Sequence, residues 1–151
     1  QLIVADEPTT ALDVSIQAQI VALIKRLCRE HGTAVMLVTH DMGVIAETAD
    51  RVAVMYSGRI AEIGPVRSVI KSPKHPYTVG LMALIPMIGD KAEHLAQIKG
   101  SMPRLGSIPP GCAFNPRCPK VFERCYRERP FLIPTETSAA SCWLYDKAAG
   151  Q

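Results

Sequence analysis

The chain has 151 residues, of which 48% are hydrophobic and 21% are charged, so it has enough apolar residues to bury a core. A net charge of +3 and an aromatic content of 5% argue against a nucleic-acid partner. The longest apolar stretch, VGLMALIPMIG, is broken by Pro86 and is much shorter than the roughly 20 residues that span a bilayer. We therefore expect any membrane association to run through a partner protein.

The first part of the chain predicts a βαβ unit. Residues 2–6 form an apolar run that ends in a carboxylate, which is typical of a buried parallel strand. Asp13 occupies a helix N-cap position ahead of apolar residues at helical spacing, and Gly32 is a natural helix stop. Residues 34–39 predict a second buried strand, and residues 42–49 predict a short helix.

Antiparallel structure is predicted next. The sequence RVAVMYSGRIAEIG indicates two strands around a tight turn at Ser57 and Gly58. A short helix is expected from Pro65 to the residue before Pro73, and another over residues 77–85.

A domain boundary is expected near residues 86–90. From about Gly89 proline and glycine become frequent, regular periodicity is lost, and four of the five cysteines follow. This divides the chain into residues 1–86 and residues 87–151, the second of which we expect to be irregular.

Two adjacent carboxylates, Asp6 and Glu7, end the first predicted strand, where open α/β sheets bind ligands. Transfer of a phosphoryl group to water needs one carboxylate for the Mg²⁺ hydration shell and another to orient or deprotonate the water. His40 follows the second strand, and its imidazole would donate to a γ-phosphate oxygen if the two strands are neighbours. Alternatively, the two acids form a solvated turn and His40 caps the following helix.

Two motifs resemble those of ABC ATPases. LIVADEPTTALD is similar to their Walker B strand and D-loop, and VTHDM is similar to their switch-histidine loop. The resemblance implies an α/β fold, namely the C-terminal part of a P-loop NTPase parallel sheet with helices and an antiparallel hairpin, and it implies ATP and Mg²⁺ as ligands. It also implies that Asp6 contacts Mg²⁺ through water and that Glu7 is the catalytic carboxylate. His40 would contact the γ-phosphate, and Asp13 would communicate across an ATP-sandwich dimer.

The phosphate loop of this family is absent from the sequence, which has no G-x-x-x-x-G-K-[ST] motif. The family's signature and glutamine loop are absent too. All three precede Walker B in the family, so we expect the chain to be a fragment of a longer subunit. We also expect the fragment alone to be inactive, because the phosphate loop provides most of the grip on the triphosphate.

The late cysteines, Cys112, Cys118, Cys125 and Cys142, follow the pattern C-x5-C-x6-C-x16-C. Disulfides are disfavoured in a cytosolic ATPase, and zinc sites usually contain C-x2-4-C pairs. An iron–sulfur cluster tolerates wider spacing, and the excess of Lys and Arg between Lys99 and Arg129 should favour thiolates. A [4Fe-4S] cluster, a zinc ion and reduced free thiols all remain open.

The segments KHPYT and KGSMPRLGSIPPGCAFNPRCP resemble the C-terminal extension of oligopeptide and dipeptide importer ATPases, some of which carry a [4Fe-4S] cluster. This resemblance implies the ATP-hydrolysing subunit of a peptide importer, peripheral to the cytoplasmic face of the bacterial inner membrane. Its partners would be a second ATPase subunit, permease subunits and, indirectly, an extracytoplasmic peptide-binding protein. Alternatives are a nickel or glutathione importer ATPase, a non-transport ABC ATPase, and a metal-binding or docking module without ATPase activity.

Overall fold

The computed structural model describes residues 1–85 and 97–146. The chain divides into two compact units, Gln1–Ala49 and Asp50–Gln151. The boundary expected near residues 86–90 lies outside the described residues, so the division into 1–86 and 87–151 stays a prediction. In the described part of the chain, no helix is both long enough and apolar enough to cross a membrane.

The first unit contains the predicted βαβ arrangement. Its elements are β1 (Leu2–Asp6), α1 (Val14–His31), β2 (Ala34–Val38) and α2 (Met42–Thr48). The two strands are parallel, and their register pairs the first residue of β1 with the first of β2 and the last with the last.

Both predicted ends of α1 are confirmed. The Asp13 side chain accepts a hydrogen bond from the Ile16 backbone N–H, which satisfies one of the unpaired donors of the first turn. Gly32 ends the helix in the left-handed region at φ 59°, where a side chain would be strained. Because both rules depend on a few adjacent residues, the sequence alone was enough to locate the helix.

In this chain β1 and β2 are exposed, whereas the sequence pattern is that of buried strands. Leu2, Val4 and Met36 are 63%, 58% and 51% exposed. Within the described residues this sheet has two strands only, and both are edge strands. The apolar run therefore indicated the strands correctly but not their burial.

The second unit is built on an antiparallel sheet. Strands β3 (Arg51–Tyr56) and β4 (Arg59–Pro65) form the predicted hairpin, and the turn residues Ser57 and Gly58 both have positive φ, 46° and 75°. Two consecutive positive φ values are typical of the tight turn that matches the twist of hairpin strands.

The C-terminal segment is more regular than the sequence predicted. Strands β5 (Ile133–Pro134) and β6 (Ala139–Ala140) extend the hairpin into a four-stranded sheet of order β3-β4-β6-β5. The strands are only two residues long, too short for the period-2 pattern that identifies a strand in a sequence. The helices of this unit are α3 (Val66–Lys71), α4 (Pro76–Met82) and α5 (Glu123–Arg127), with 3₁₀ turns at Leu105–Ser107, Asn115–Arg117 and Trp143–Tyr145.

Candidate functional site

The carboxyl ends of β1 and β2 bring Glu7 and His40 together. Parallel pairing in register places the residues that follow the two strands at one edge of the sheet. The Glu7 backbone N–H donates to the Val38 carbonyl over 2.8 Å, which fixes the point where the chain leaves β1. There His40 Nδ1 lies 2.7 Å from Glu7 Oε1, so a carboxylate and an imidazole form a direct pair at the end of the sheet.

The backbone of Glu7 has a left-handed conformation, with φ 47°. Such a conformation is unfavourable for a residue with a side chain and persists only where surrounding contacts impose it. Here both backbone groups of Glu7 are hydrogen-bonded. Its N–H donates to the Val38 carbonyl, and its carbonyl accepts from the Thr10 N–H over 3.1 Å. Strain of this kind is common at functional sites, because it aims a side chain where ordinary geometry would not.

The ion pair shifts the acidity of both partners. The hydrogen bond from His40 and a second one from Thr10 lower the pKa of Glu7. The hydrogen bond to Glu7, helped by its charge and that of Asp41, raises the pKa of His40. The site therefore favours an ionised carboxylate beside a protonated imidazole.

We expect the charged pair to be complete between about pH 4.5 and 6.5. Its stabilisation is lost as the pH rises through the raised pKa of His40, and is also lost as the pH falls through the lowered pKa of Glu7. An NMR titration of the His40 ring in the 151-residue chain should give a pKa above 6.5, and Glu7→Gln should reduce it. Glu30→Gln, on exposed α1 surface, is the matched control and should leave it unchanged. A His40 titration that Glu7→Gln does not move would contradict the pairing.

The other two predicted nucleotide-site residues have different surroundings. Asp6 is the last residue of β1 and is exposed, so its carboxylate is accessible to a hydrated cation. The Asp13 side chain caps the N-terminus of α1. The roles that the resemblance assigns to these residues stay predictions.

Sequence reasoning did not single out two polar residues at or beside this site. Thr10 Oγ1 donates to Glu7 Oε2 over 2.7 Å. Asp41 accepts from the backbone N–H groups of Gly43 and Val44 and from Gln17 Nε2, so it caps α2 next to His40. An acidic residue just ahead of a helix is a recognisable signal, whereas the Thr10 contact depends on the unusual backbone at Glu7.

The four late cysteines, Cys112, Cys118, Cys125 and Cys142, line one cavity of about 10 Å³, together with His75. One wall is a close backbone approach, in which the Cys112 N–H donates to the Cys125 carbonyl over 2.8 Å. Gly111 makes this approach possible, because a Cβ at its position would lie 2.3 Å from the same carbonyl oxygen. The fold thus collects into one place thiols that are far apart in sequence.

The cavity has the donors for a metal centre but not the arrangement for a single ion. Thiolates around zinc at about 2.3 Å would lie roughly 3.8 Å apart. Within residues 1–85 and 97–146, no group of three or more His, Cys, Asp or Glu side chains is arranged to hold one metal ion. The space is about that of one water molecule, so a larger group would require the thiol side chains to move apart. Thiols are the donor type that iron–sulfur clusters use.

The expectation that nearby basic residues favour thiolates is wrong for Cys112, Cys118 and Cys142 in this structure. Burial raises the pKa of Cys112 and of Cys118, and raises that of Cys142 to about 11. Lys120 acts in the opposite direction on Cys118, but its effect is smaller than that of burial. Desolvation penalises the thiolate of these cysteines more than nearby groups stabilise it, so these three thiols are protonated at neutral pH.

Comparisons with known proteins show what this chain is similar to. Residues 61–125 match the family model described as "Oligopeptide/dipeptide transporter, C-terminal region".

The oligopeptide transport ATP-binding protein AppD of Bacillus subtilis is 45% identical over 100% of this chain and 46% of its own length. The dipeptide transport ATP-binding protein DppD of the same organism is 47% identical over 98% of this chain and 44% of its own. The oligopeptide transport ATP-binding protein OppD of Salmonella typhimurium is 46% identical over 86% of this chain and 39% of its own. The chain thus spans less than half the length of these relatives.

Proposed function

We propose, on the premise that this chain is homologous along its whole length to oligopeptide and dipeptide transport ATP-binding proteins, that it contributes hydrolytic groups to a peptide-import ATPase. The observation that carries the proposal is the 2.7 Å contact between Glu7 and His40 at the carboxyl ends of two parallel strands. A module that only docked or bound metal would have no need of this pair. The resemblance of the motifs to ABC ATPases, inferred from the sequence, agrees with these relatives.

In the proposed reaction Glu7 orients a water molecule and accepts its proton. The lowered pKa of Glu7 keeps the carboxylate ionised and able to accept a hydrogen bond at neutral pH. His40, whose ring is largely exposed beside it, donates a proton or a hydrogen bond toward the charge that develops on the γ-phosphate. Exposed Asp6 holds the hydration shell of Mg²⁺, and Asp13 communicates with the partner subunit of an ATP-sandwich dimer.

The proposed setting is the cytoplasmic face of a bacterial inner membrane, to which the ATPase is peripheral. A second ATPase subunit would complete each ATP site, and permease subunits would carry the peptide delivered by an extracytoplasmic binding protein. Closure of the dimer on ATP would couple hydrolysis to transport.

ATP hydrolysis by the whole protein that contains this chain tests the proposal, with Glu7→Gln as the decisive variant. The 151-residue chain alone is the control, and it should not hydrolyse ATP because its sequence has no phosphate loop. If the whole protein lacked hydrolysis, or if the variant retained it, the assignment of the site would be wrong.

We also propose that Cys112, Cys118, Cys125 and Cys142 hold a [4Fe-4S] cluster, with zinc as the alternative. The support is that all four thiols line one cavity, although they are far apart in sequence. When bound, such a cluster would cross-link the segments that carry the cysteines and could accept an electron. Since three of the thiols are protonated when free, binding would release protons and should weaken at acidic pH.

Chain purified without oxygen should contain about four irons and four sulfides, and serine at any of the four cysteines should sharply reduce both. Cys28→Ser, in α1, is the matched control and should retain the full content. Colourless protein with one zinc per chain would instead support the alternative. A chain with neither metal would contradict both.

A further inference from the structure

We propose that Thr10 is the positioning residue for Glu7, holding the carboxylate in the orientation that hydrolysis needs. The inference rests on the proposed function of Glu7, but the contact that carries it is observed. The two oxygens of the carboxylate have different partners: Oε1 contacts His40 Nδ1 over 2.7 Å, and Oε2 accepts from Thr10 Oγ1 over 2.7 Å.

The terminal torsion of a glutamate side chain has only a broad preference, so its carboxylate is oriented by its contacts. A single contact to His40 would leave the second oxygen free to rotate. The Thr10 hydroxyl donates to that second oxygen, Oε2, while His40 contacts Oε1. The two bonds together define the plane of the carboxylate.

Thr10 is itself held by the backbone turn that contains Glu7. Its N–H donates to the Glu7 carbonyl over 3.1 Å, so backbone and side chain of Thr10 both bind the same residue. The left-handed backbone of Glu7, φ 47°, starts this turn. The hydroxyl therefore has a fixed position relative to the carboxylate, which a flexible loop residue would not have.

The contact also stays available when His40 is engaged. In the proposed reaction His40 turns to a phosphate oxygen, and Thr10 then remains as a side-chain partner that keeps Glu7 aimed at the water. Its effect should thus fall on the chemical step, since Thr10 binds Glu7 and not the nucleotide.

The test compares Thr10→Val, which keeps the shape and removes the hydroxyl, with Thr10→Ser, which keeps the hydroxyl. In the whole protein, Thr10→Val should lower kcat about tenfold, the effect of one hydrogen bond of about 1.4 kcal/mol, with KM for ATP nearly unchanged. Thr10→Ser should restore most of kcat. Because Thr10 is exposed, neither change should prevent folding.

A structural measurement separates this proposal from the function of Glu7. In NMR spectra of the 151-residue chain, Overhauser contacts between the Glu7 γ-methylene and the His40 ring should weaken in Thr10→Val and persist in Thr10→Ser. Suppose that Thr10→Val changes neither these contacts nor kcat, while Glu7→Gln still abolishes turnover. That result would overturn the positioning role of Thr10 and leave the function of Glu7 intact. Retained turnover in Glu7→Gln would instead overturn the function of Glu7. Equal loss in the valine and serine variants would assign the effect to packing and also overturn the proposal.

Discussion

Glu7→Gln in the whole protein should reduce kcat for ATP hydrolysis by about 10²–10⁴-fold, the range that a positioned general base contributes. The amide has nearly the size of the carboxylate, so the turn from Glu7 to Thr10 can form as before. What it loses is the ability to accept a proton from water. Binding of ATP–Mg²⁺ should persist, because Glu7 is directed at the water and not at the phosphates. Steady-state hydrolysis and equilibrium nucleotide binding, measured on the same preparation, separate the two effects.

Glu30→Gln is the matched control, because it makes the same chemical change on the exposed surface of α1. Its hydrolysis rate should equal that of the unmodified protein. A Glu7→Gln variant that kept most of its rate would show that the carboxylate is not the base. A variant that lost nucleotide binding as well would show that Glu7 belongs to the binding machinery.

The features that the sequence predicted correctly depend on residues close together in the chain. The caps of α1 at Asp13 and Gly32 and the turn at Ser57 and Gly58 are each determined by two or three neighbouring residues. The meeting of Glu7 with His40 needed one further rule, that strands joined by a helix pair in parallel.

The features that the sequence did not predict depend on residues that are distant in the chain. The exposure of β1 and β2 depends on what covers the faces of the sheet, which no pattern within a strand records. Burial raises the pKa of Cys118 and of Cys142, and at Cys118 it outweighs the opposite effect of Lys120. In both cases the residue types were known from the sequence, but the solvent exposure of their side chains was not.

Glu62 is the clearest example, because it is an ordinary surface residue type and yet has no exposed area. Its carboxylate accepts from the backbone N–H of Lys74 at 3.0 Å to each oxygen, from the His75 N–H at 2.9 Å and from the Ser138 hydroxyl at 2.9 Å. These donors come from the loop before α4 and from the turn between β5 and β6. The side chain thus ties β4 to two segments that the sequence gives no reason to associate with it.

The buried carboxylate also places His75. The His75 N–H donates to Glu62, which holds the backbone of His75. The Nδ1 atom of its imidazole accepts from the Tyr77 N–H over 3.0 Å and so caps α4. Burial lowers the pKa of His75 to about 4, so the ring is neutral and able to accept this bond at physiological pH. His75 packs against Phe114 with ring centroids 5.8 Å apart and lines the thiol cavity. The segment from His75 to Tyr77 therefore has a structural role within this unit.

Replacement of Glu62 by Met should destabilise the second unit by about 3–5 kcal/mol, because it removes the acceptor of the buried His75 N–H and of the half-buried Lys74 N–H and Ser138 hydroxyl. Glu62→Gln should cost less, since its amide oxygen still accepts while its NH₂ group faces donors. The unfolding free energy can be measured in urea by the fluorescence of Trp143, the single tryptophan, which is buried in this unit. Glu136→Gln, exposed in the turn beside Ser138, is the control and should unfold like the unmodified chain.

If Glu62→Met unfolded at the same urea concentration as that control, the bonds to Lys74, His75 and Ser138 would contribute no net stability. In that case the desolvation of the carboxylate would cancel what its three donors supply.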